Sequence, residues 1–365
     1  MAAEPTAFDP ETTEQLNAAL DAINDTFADA FAFVARAEGA DDGIETAVLT
    51  RVHPTGVDAE VTSGDGTQTV RLDFEEPVAG LDDLGRAMLG LITRARELRP
   101  SEPLTSFEQR LDQADRQVTS HVGVVAVNDL SPDLLALTIG PMEHWTDLGG
   151  DQAVSLLIEL PGRPIPERVR LAELRELGDD VRPKMATYSI RRHDPDGRTV
   201  EVWVARHSDD QSTIAGWAGA AEVGSAVTIW GPRRATIPPA DVSRFVGVCD
   251  ETGVAATVAM AEELPAGVPV DLVVEVRDDR SQFALTDRPG VVVHWRHRGD
   301  APPGTGTNLV DATRSLVPAA VDGLFVFGAA EARCISGVRR YLRRELDVAA
   351  DRVSLTGYWR DRAAD

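Results

Sequence analysis

Lysine is almost missing from this 365-residue chain: Lys184 stands alone among 36 basic residues. The 60 acidic residues leave a net charge of −24, a composition that cannot neutralise a run of phosphates, so nucleic acid is excluded as the main partner. The same charge disfavours adhesion to an anionic membrane surface. Cysteine is nearly as scarce. Cys249 and Cys334 are too few and too far apart for a disulfide framework, no metal-ligand spacing surrounds them, and both are expected as small buried residues. No apolar run reaches roughly 18 residues, so no membrane insertion is expected. Met1 to Glu14 is acidic and polar without an apolar core, which fits a cytoplasmic protein. Also absent is a Gly-x-Gly-x-x-Gly after any strand-like segment, which disfavours a free-standing Rossmann dehydrogenase.

What is present reads as several domains, since the length allows two or three with buried cores. Leu16, Leu20, Ile23, Phe27, Phe31 and Val34 recur at helical spacing. Thr46 to Val52, Asp58 to Thr62 and Thr67 to Phe74 read as short strands, and Leu84 to Leu98, with Leu89, Leu91 and Ile92 on one side, as a closing helix. Residues 1–100 are therefore expected to form a small α+β domain, followed by a linker at 101–118. Residues 119–238, rich in Val, Ile and Thr with Gly and Pro between, fit a six-stranded Greek-key barrel. Residues 239–365 alternate strands (Phe245 to Cys249, Val270 to Val276, Val291 to Trp295, Gly323 to Phe327) with helices (Thr252 to Leu264, Thr307 to Leu316, Glu331 to Leu346), the pattern of a mainly parallel α/β domain.

The stretch Lys184-Met185-Ala186-Thr187-Tyr188-Ser189-Ile190-Arg191 carries the most chemistry. On a strand, Lys184, Ala186, Tyr188 and Ile190 share one side and Met185, Thr187, Ser189 and Arg191 the other, so an aromatic ring sits beside a small residue. The stretch resembles the Arg-x-Tyr-Thr/Ser-x-Arg strand of ferredoxin-reductase-type flavoproteins. There the Tyr packs on the flavin ring, the hydroxyl meets its reactive edge and arginine holds phosphate. Further matches follow in order: His121 to Gly140, Thr187 to Arg192, Ala205-Arg206-His207, Gly216-Trp217-Ala218, Trp230-Gly231-Pro232, Asp250-Glu251-Thr252, Val274-Glu275-Val276, His294 to Arg298, and Gly357-Tyr358-Trp359-Arg360. From about Thr119 onward the chain resembles the siderophore-interacting protein family of FAD-containing, NAD(P)H-dependent ferric-siderophore reductases.

That resemblance implies a flavin-reductase-type barrel, an NAD(P)H-binding α/β domain, FAD with NADPH or NADH, and a ferric siderophore or other iron chelate as substrate. It implies Tyr188 as ring platform and Ser189 at the flavin edge, the two catalytic candidates, and Arg191, His207 and Trp217 at the FAD. Asp250, Glu251, Thr252, Glu275, Glu331 and Trp359 fall to the nucleotide region, and His297, Arg298 and Arg360 to the substrate. Asp250 or Thr252 also suits a helix cap. Arg277 and Arg280, with Asp278 and Asp279 between them, leave NADH and NADPH both open. His294 and His297 are three apart on a strand and face opposite sides, so no shared metal is expected.

The departures all weaken anion binding. Ala186 replaces the first arginine, a loss that Lys184 on the same side partly offsets. The turn after His207 carries Asp209 and Asp210, each of which costs a few kcal/mol at roughly 5 Å from a phosphate. A family lysine falls at Ser155, family glycines at Cys249 and Ala330, and a family arginine at Ser336. The alternative is a flavin-free relative that binds an iron chelate, haem or a partner protein. Residues 1–100 resemble the small domain of split-barrel haem-utilisation proteins, whose first helix carries His-x-Asn-x-x-His. Asn24 remains, but Ala22 and Phe27 stand at the histidines, so a packing or dimerisation module is expected.

Overall fold

A computed structural model describes residues 8–39, 41–143, 145–159, 162–178, 181–206 and 213–360. His207, Asp209 and Asp210 lie outside them. The chain clusters into two compact units, Met1–Asp112 and Gln113–Asp365.

The first unit opens with helix α1 (Pro10–Gly39), which buries Leu16, Leu20, Phe31 and Val34 as their spacing demands. Its backbone leaves helical geometry at Phe27. Strands β1 (Ile44–His53), β2 (Gly56–Ser63) and β3 (Gly66–Asp73) form an antiparallel meander in that order. His53 pairs with Gly56 and Ser63 with Gly66, so both connections are two-residue turns, and Gly66 takes φ +119° to close the second. Helix α2 (Leu81–Leu98) turns Leu84, Met88, Leu91, Ile92 and Ala95 inward. Leu89, expected on that side, is exposed, because the stripe at steps of three and four passes through Met88 instead. The expected linker carries a helix of its own, α3 (Ser106–Arg116).

The residues that resemble a haem motif are used for packing. Asn24 brackets Leu49 of β1, donating to its carbonyl and accepting from its amide, both at 2.8 Å. The ring of Phe27 stands edge-on to Phe107 at 5.1 Å, with the Arg110 guanidinium 4.9 Å over it.

The second unit begins with β4 (Thr119–Ser131), β5 (Leu134–Gly140), β6 (Gln152–Ile158), a short helix α4 (Leu171–Arg175), β7 (Lys184–Asp194), β8 (Thr199–Ala205), helix α5 (Ile214–Ala220) and β9 (Ala226–Arg234). The six strands close into a barrel in the order β4-β5-β8-β7-β6-β9. Leu137, Val154, Leu156, Ile190, Val202 and Ile229 fill it, the inward half of an alternating pattern. Next come β10 (Arg244–Cys249), α6 (Val254–Glu263), β11 (Val270–Val276), β12 (Val291–His297), α7 (Asn308–Leu316), β13 (Leu324–Glu331), α8 (Ala332–Arg340) and β14 (Val353–Trp359). These strands form a parallel sheet, β12-β11-β10-β13-β14, whose order reverses between β10 and β13. Crevices at such a reversal bind ligands outside the carboxyl ends of the strands. β14 adds to the four strands expected, and α8 stops at Arg340 in favour of a π-helical turn over Tyr341–Glu345. Among the described residues no helix is long and apolar enough to cross a membrane.

Candidate flavin and nucleotide site

β7 divides its side chains as the alternation requires. Ile190 lies in the barrel core, and Ala186 and Tyr188 sit at its rim in the same cluster as Trp145 and Trp217. Burial pushes the Tyr188 phenol up to about 12. It is therefore neutral near pH 7 and offers a ring and a proton donor, not a base. Trp217 is carried by α5, whose first turn is closed by Thr213 accepting from the Gly216 amide at 3.1 Å. Lys184 is exposed at the start of β7, opposite Ile158.

The outward side of β7 meets the α/β part. The Ser155 and Thr187 hydroxyls pair at 3.1 Å, and Arg233 donates to Thr187 at 2.8 Å. The Ser189 hydroxyl lies 2.9 Å from that of Tyr358 on β14. Tyr358 is 37% exposed as a residue, with its hydroxyl turned to Ser189. Burial first, then the negative field of Asp151, pushes that phenol well above its ordinary value. The pair is thus two neutral hydroxyls at the junction of barrel and sheet.

Arg191, expected at a phosphate, is committed elsewhere. Its two terminal nitrogens donate to both oxygens of Glu262 on α6, each at 2.7 Å, one of them also reaches the Leu285 carbonyl at 3.1 Å, and the guanidinium lies 5.2 Å from the Trp203 ring. Burial alone would raise the Glu262 carboxyl; the bonds from Arg191 and Thr286 outweigh it and hold the pKa below the usual range. The cause is packing: α6 lies on β7, which brings its acid within bidentate reach of the arginine.

At the reversal of the sheet, Asp250 ends β10. One oxygen accepts from the Thr252 amide at 2.8 Å and hydroxyl at 2.5 Å; the other accepts from the Glu331 amide at 3.1 Å and the Trp359 indole at 2.8 Å. The expected helix cap is not formed. α6 starts at Val254 after Gly253, with no side-chain cap, and Asp250 closes the preceding turn. Gly253 is required there, since a Cβ would lie 1.9 Å from the Ala329 carbonyl oxygen. Glu251 pairs with Arg298 at 2.7 Å, and both side chains are buried. Burial nevertheless raises the Glu251 pKa, outweighing the arginine.

Glu331 caps α8 with one oxygen, accepting from the amides of Arg333 and Cys334 at 2.6 and 3.2 Å. Its other oxygen, and Oε2 of Glu275, are buried and have no hydrogen-bond partner among the described residues. Burial raises the Glu275 pKa too. Cys334 is pushed up to about 12 by burial and these acids, and burial raises Cys249 further, so neither thiol ionises near neutral pH. A helix N-terminus filled by its own carboxylate, ringed by acids, repels phosphate and suits hydroxyl or amide donors.

The fold therefore gathers Ser189, Tyr358, Trp359, Asp250, Thr252 and Glu331 along one seam, with Tyr188 adjacent on β7. It keeps Arg191 and Arg298 in ion pairs. His297 stands exposed on β12, bonded to Gln282 at 2.8 Å, while His294 bonds Asp271 at 2.8 Å. Arg360 is half-buried after β14. Tyr358 as partner of Ser189, Arg233 on the outer face, and Glu262 as holder of Arg191 were not visible in the sequence. Only the Gly-Tyr-Trp-Arg motif hinted at the first, by placing Tyr358 beside the cofactor region.

Residues 123–236 match the family described as siderophore-interacting FAD-binding domain, and residues 242–362 the one described as siderophore-interacting protein. An uncharacterized protein of Mycobacterium tuberculosis is 27% identical over 254 residues, 65% of this chain and 88% of its own length. The NADPH-dependent ferric-chelate reductase of Escherichia coli is 27% identical over 154 residues, 41% of this chain and 57% of that protein. A siderophore utilization protein from T. fusca superposes with a TM-score of 0.57 at 24% identity, covering 67% of this chain and 94% of that one, a likeness of fold. With both family matches falling in order on the barrel and the parallel sheet, and together spanning more than half its length, the chain belongs to the siderophore-interacting protein family.

Proposed function

We propose that this chain is an FAD-dependent NAD(P)H:ferric-siderophore reductase that releases iron as Fe²⁺. The observation that carries the reading is the Ser189–Tyr358 hydroxyl pair, which joins the barrel's flavin strand to the strand end that Trp359 pins to Asp250. The residues present fit the ring end of FAD: a neutral aromatic platform at Tyr188, flanked by Ala186 and Trp217, with a hydroxyl one residue on. The charge for the diphosphate falls to Lys184, because Ala186 brings none and Arg191 is neutralised by Glu262. FAD, when bound, supplies acceptance of a hydride and release of its electrons one at a time. Per turnover, one NAD(P)H gives two electrons to two Fe³⁺, yielding NAD(P)⁺, one H⁺ and two Fe²⁺. Oxygen-rich chelators hold Fe²⁺ poorly. Tyr188 would carry the ring and Ser189 would lie at its edge, with the Tyr358 hydroxyl beside Ser189. A cytoplasmic setting, where NAD(P)H is held, goes with this reading, and residues 1–100 would serve packing or dimerisation.

Purified protein should be yellow, or become yellow with FAD and stay so through desalting, and should form Fe²⁺ from a ferric chelate with NAD(P)H, read by ferrozine absorbance. Colourless protein that takes up no FAD at concentrations well above those typical of cofactor sites would overturn the reductase and favour a flavin-free iron-chelate-binding relative, the reading to which Ala186 and the Arg191–Glu262 pair lean.

A further inference from the structure

The choice between the two nicotinamide nucleotides is written in the loop after β11; this rests on the reading that the chain takes NAD(P)H. From the reversal between β10 and β13, the next strand outward is β11, and in such sheets its carboxyl end faces the adenosine ribose. An acid there accepts the 2′-hydroxyl, whereas a free arginine takes a 2′-phosphate. Here the strand runs into Arg277-Asp278-Asp279-Arg280-Ser281. Both arginines are already engaged. Arg277 lies 2.9 Å from Asp133, in the β4–β5 turn, and Asp133 is itself largely buried and fixed by the Ser281 hydroxyl at 2.7 Å. Arg280 folds back on Asp278, which takes its guanidinium at 2.7 Å and its amide at 2.9 Å. Asp279 and Asp133 add their fields at the same guanidinium.

An exposed pair such as Arg280–Asp278 is weak by itself, and a phosphate could break it. What it could not escape is the balance of the loop: three carboxylates, Asp133, Asp278 and Asp279, face two guanidiniums. The neighbouring groups do not restore it. Arg298 belongs to Glu251, Glu275 keeps a bare carboxylate oxygen, and His297 is bonded to Gln282. A 2′-phosphate brings close to two negative charges into this field, while a 2′-hydroxyl brings only a donor. We propose that this loop makes the chain selective for NADH over NADPH, with Asp133 and Asp278 holding the two arginines away from a 2′-phosphate.

Titration calorimetry on the full-length protein tests this without turnover. The probes are NADH against NADPH, and AMP against adenosine 2′,5′-bisphosphate. The 2′-phosphate should weaken binding by about tenfold or more, as like-charge juxtaposition does. Replacing the two acids that lie within the loop itself, the holder Asp278 and its neighbour Asp279 (Asp278→Ser with Asp279→Ser), should narrow the NADPH/NADH ratio of Kd by about threefold or more. Equal or tighter binding of the 2′-phosphorylated probe by the unaltered protein would overturn the proposal while leaving the reductase standing. A ratio unmoved in the double variant would overturn the assignment to these residues. Absence of binding for every probe would overturn the proposal and the reductase together.

Discussion

A single substitution separates this flavin strand from the pattern it resembles. On the proposed reading, Ala186 leaves the Tyr188 platform intact but removes a cation, and Lys184, two residues earlier on the same side, would supply the charge in its place. Lys184→Ala should therefore weaken FAD binding by about 1–3 kcal/mol, and Ala186→Arg should strengthen it. Quenching of flavin fluorescence on titration reads both; an affinity unmoved by either change would show that the diphosphate is gripped elsewhere. At this scale the sequence was informative wherever one strand decided the answer. Alternation along 184–191 assigned each face correctly, because period two is a property of the backbone. It was silent about Ser189 and Tyr358, since 169 positions separate them and only closure of the sheet brings them together.

Among elements, the contact of α6 with β7 is fixed by the Arg191–Glu262 fork, with Arg234 to Glu263 beside it. The Arg191 side chain is almost wholly buried, so Glu262→Ala strands a cation and should cost about 2–3 kcal/mol, just under the range for a fully buried pair because the acid is a third exposed. Denaturant unfolding of the full chain measures this; a loss under half a kilocalorie would mean that water or Thr286 replaces the acid. In α1, Phe27 is held between Phe107 and Arg110, leaving neither a ligand nor a gap at that position. Haem titrated into the protein should give no Soret shift, and a saturable one would contradict the packing role. The helical spacing of α1 was legible, but its break at Phe27 was not, because the aromatic contact comes from α3, in a segment that read as linker.

For the molecule as a whole, the two units should differ in how they answer mild acid. In the first, two bonds from Arg96 at 2.7 Å hold the Glu108 carboxyl down to about 2. A depressed folded value stabilises above the unfolded value of about 4.3 and is lost as pH falls through the folded one, so this unit should weaken from about pH 4.5 downward. In the second, burial raises Glu251 and Glu275. Raised values favour the protonated fold at low pH and cost stability as pH climbs through them, so lowering the pH toward the unfolded carboxylate value of about 4.3 should hold or raise its melting temperature, and below that value the depressed Glu262 works the other way. Calorimetric scans across pH, with Glu108→Gln flattening only the acid limb of the first unit, would check both signs; a melting temperature of the second unit that falls on mild acidification above about pH 4.5 would refute the second. At this scale the barrel and parallel sheet were legible from strand and helix alternation. The fifth strand, β14, was not, because its exposed Thr356, Gly357 and Tyr358 dilute the apolar signal of Val353 and Leu355.

The Asp250 carboxylate gathers four donors from three places in the chain, two of them backbone amides. Amides held by a side chain rather than by a ladder partner are released only when that side chain lets go. The Thr252 and Glu331 N–H groups should therefore exchange with deuterium at one common rate, slower than their turn positions alone would suggest. Asp250→Ala should accelerate both together while the mid-strand amides of β10 and β13 keep their pace. Isotope exchange would then report the opening of the seam as a single cooperative event, visible without any ligand.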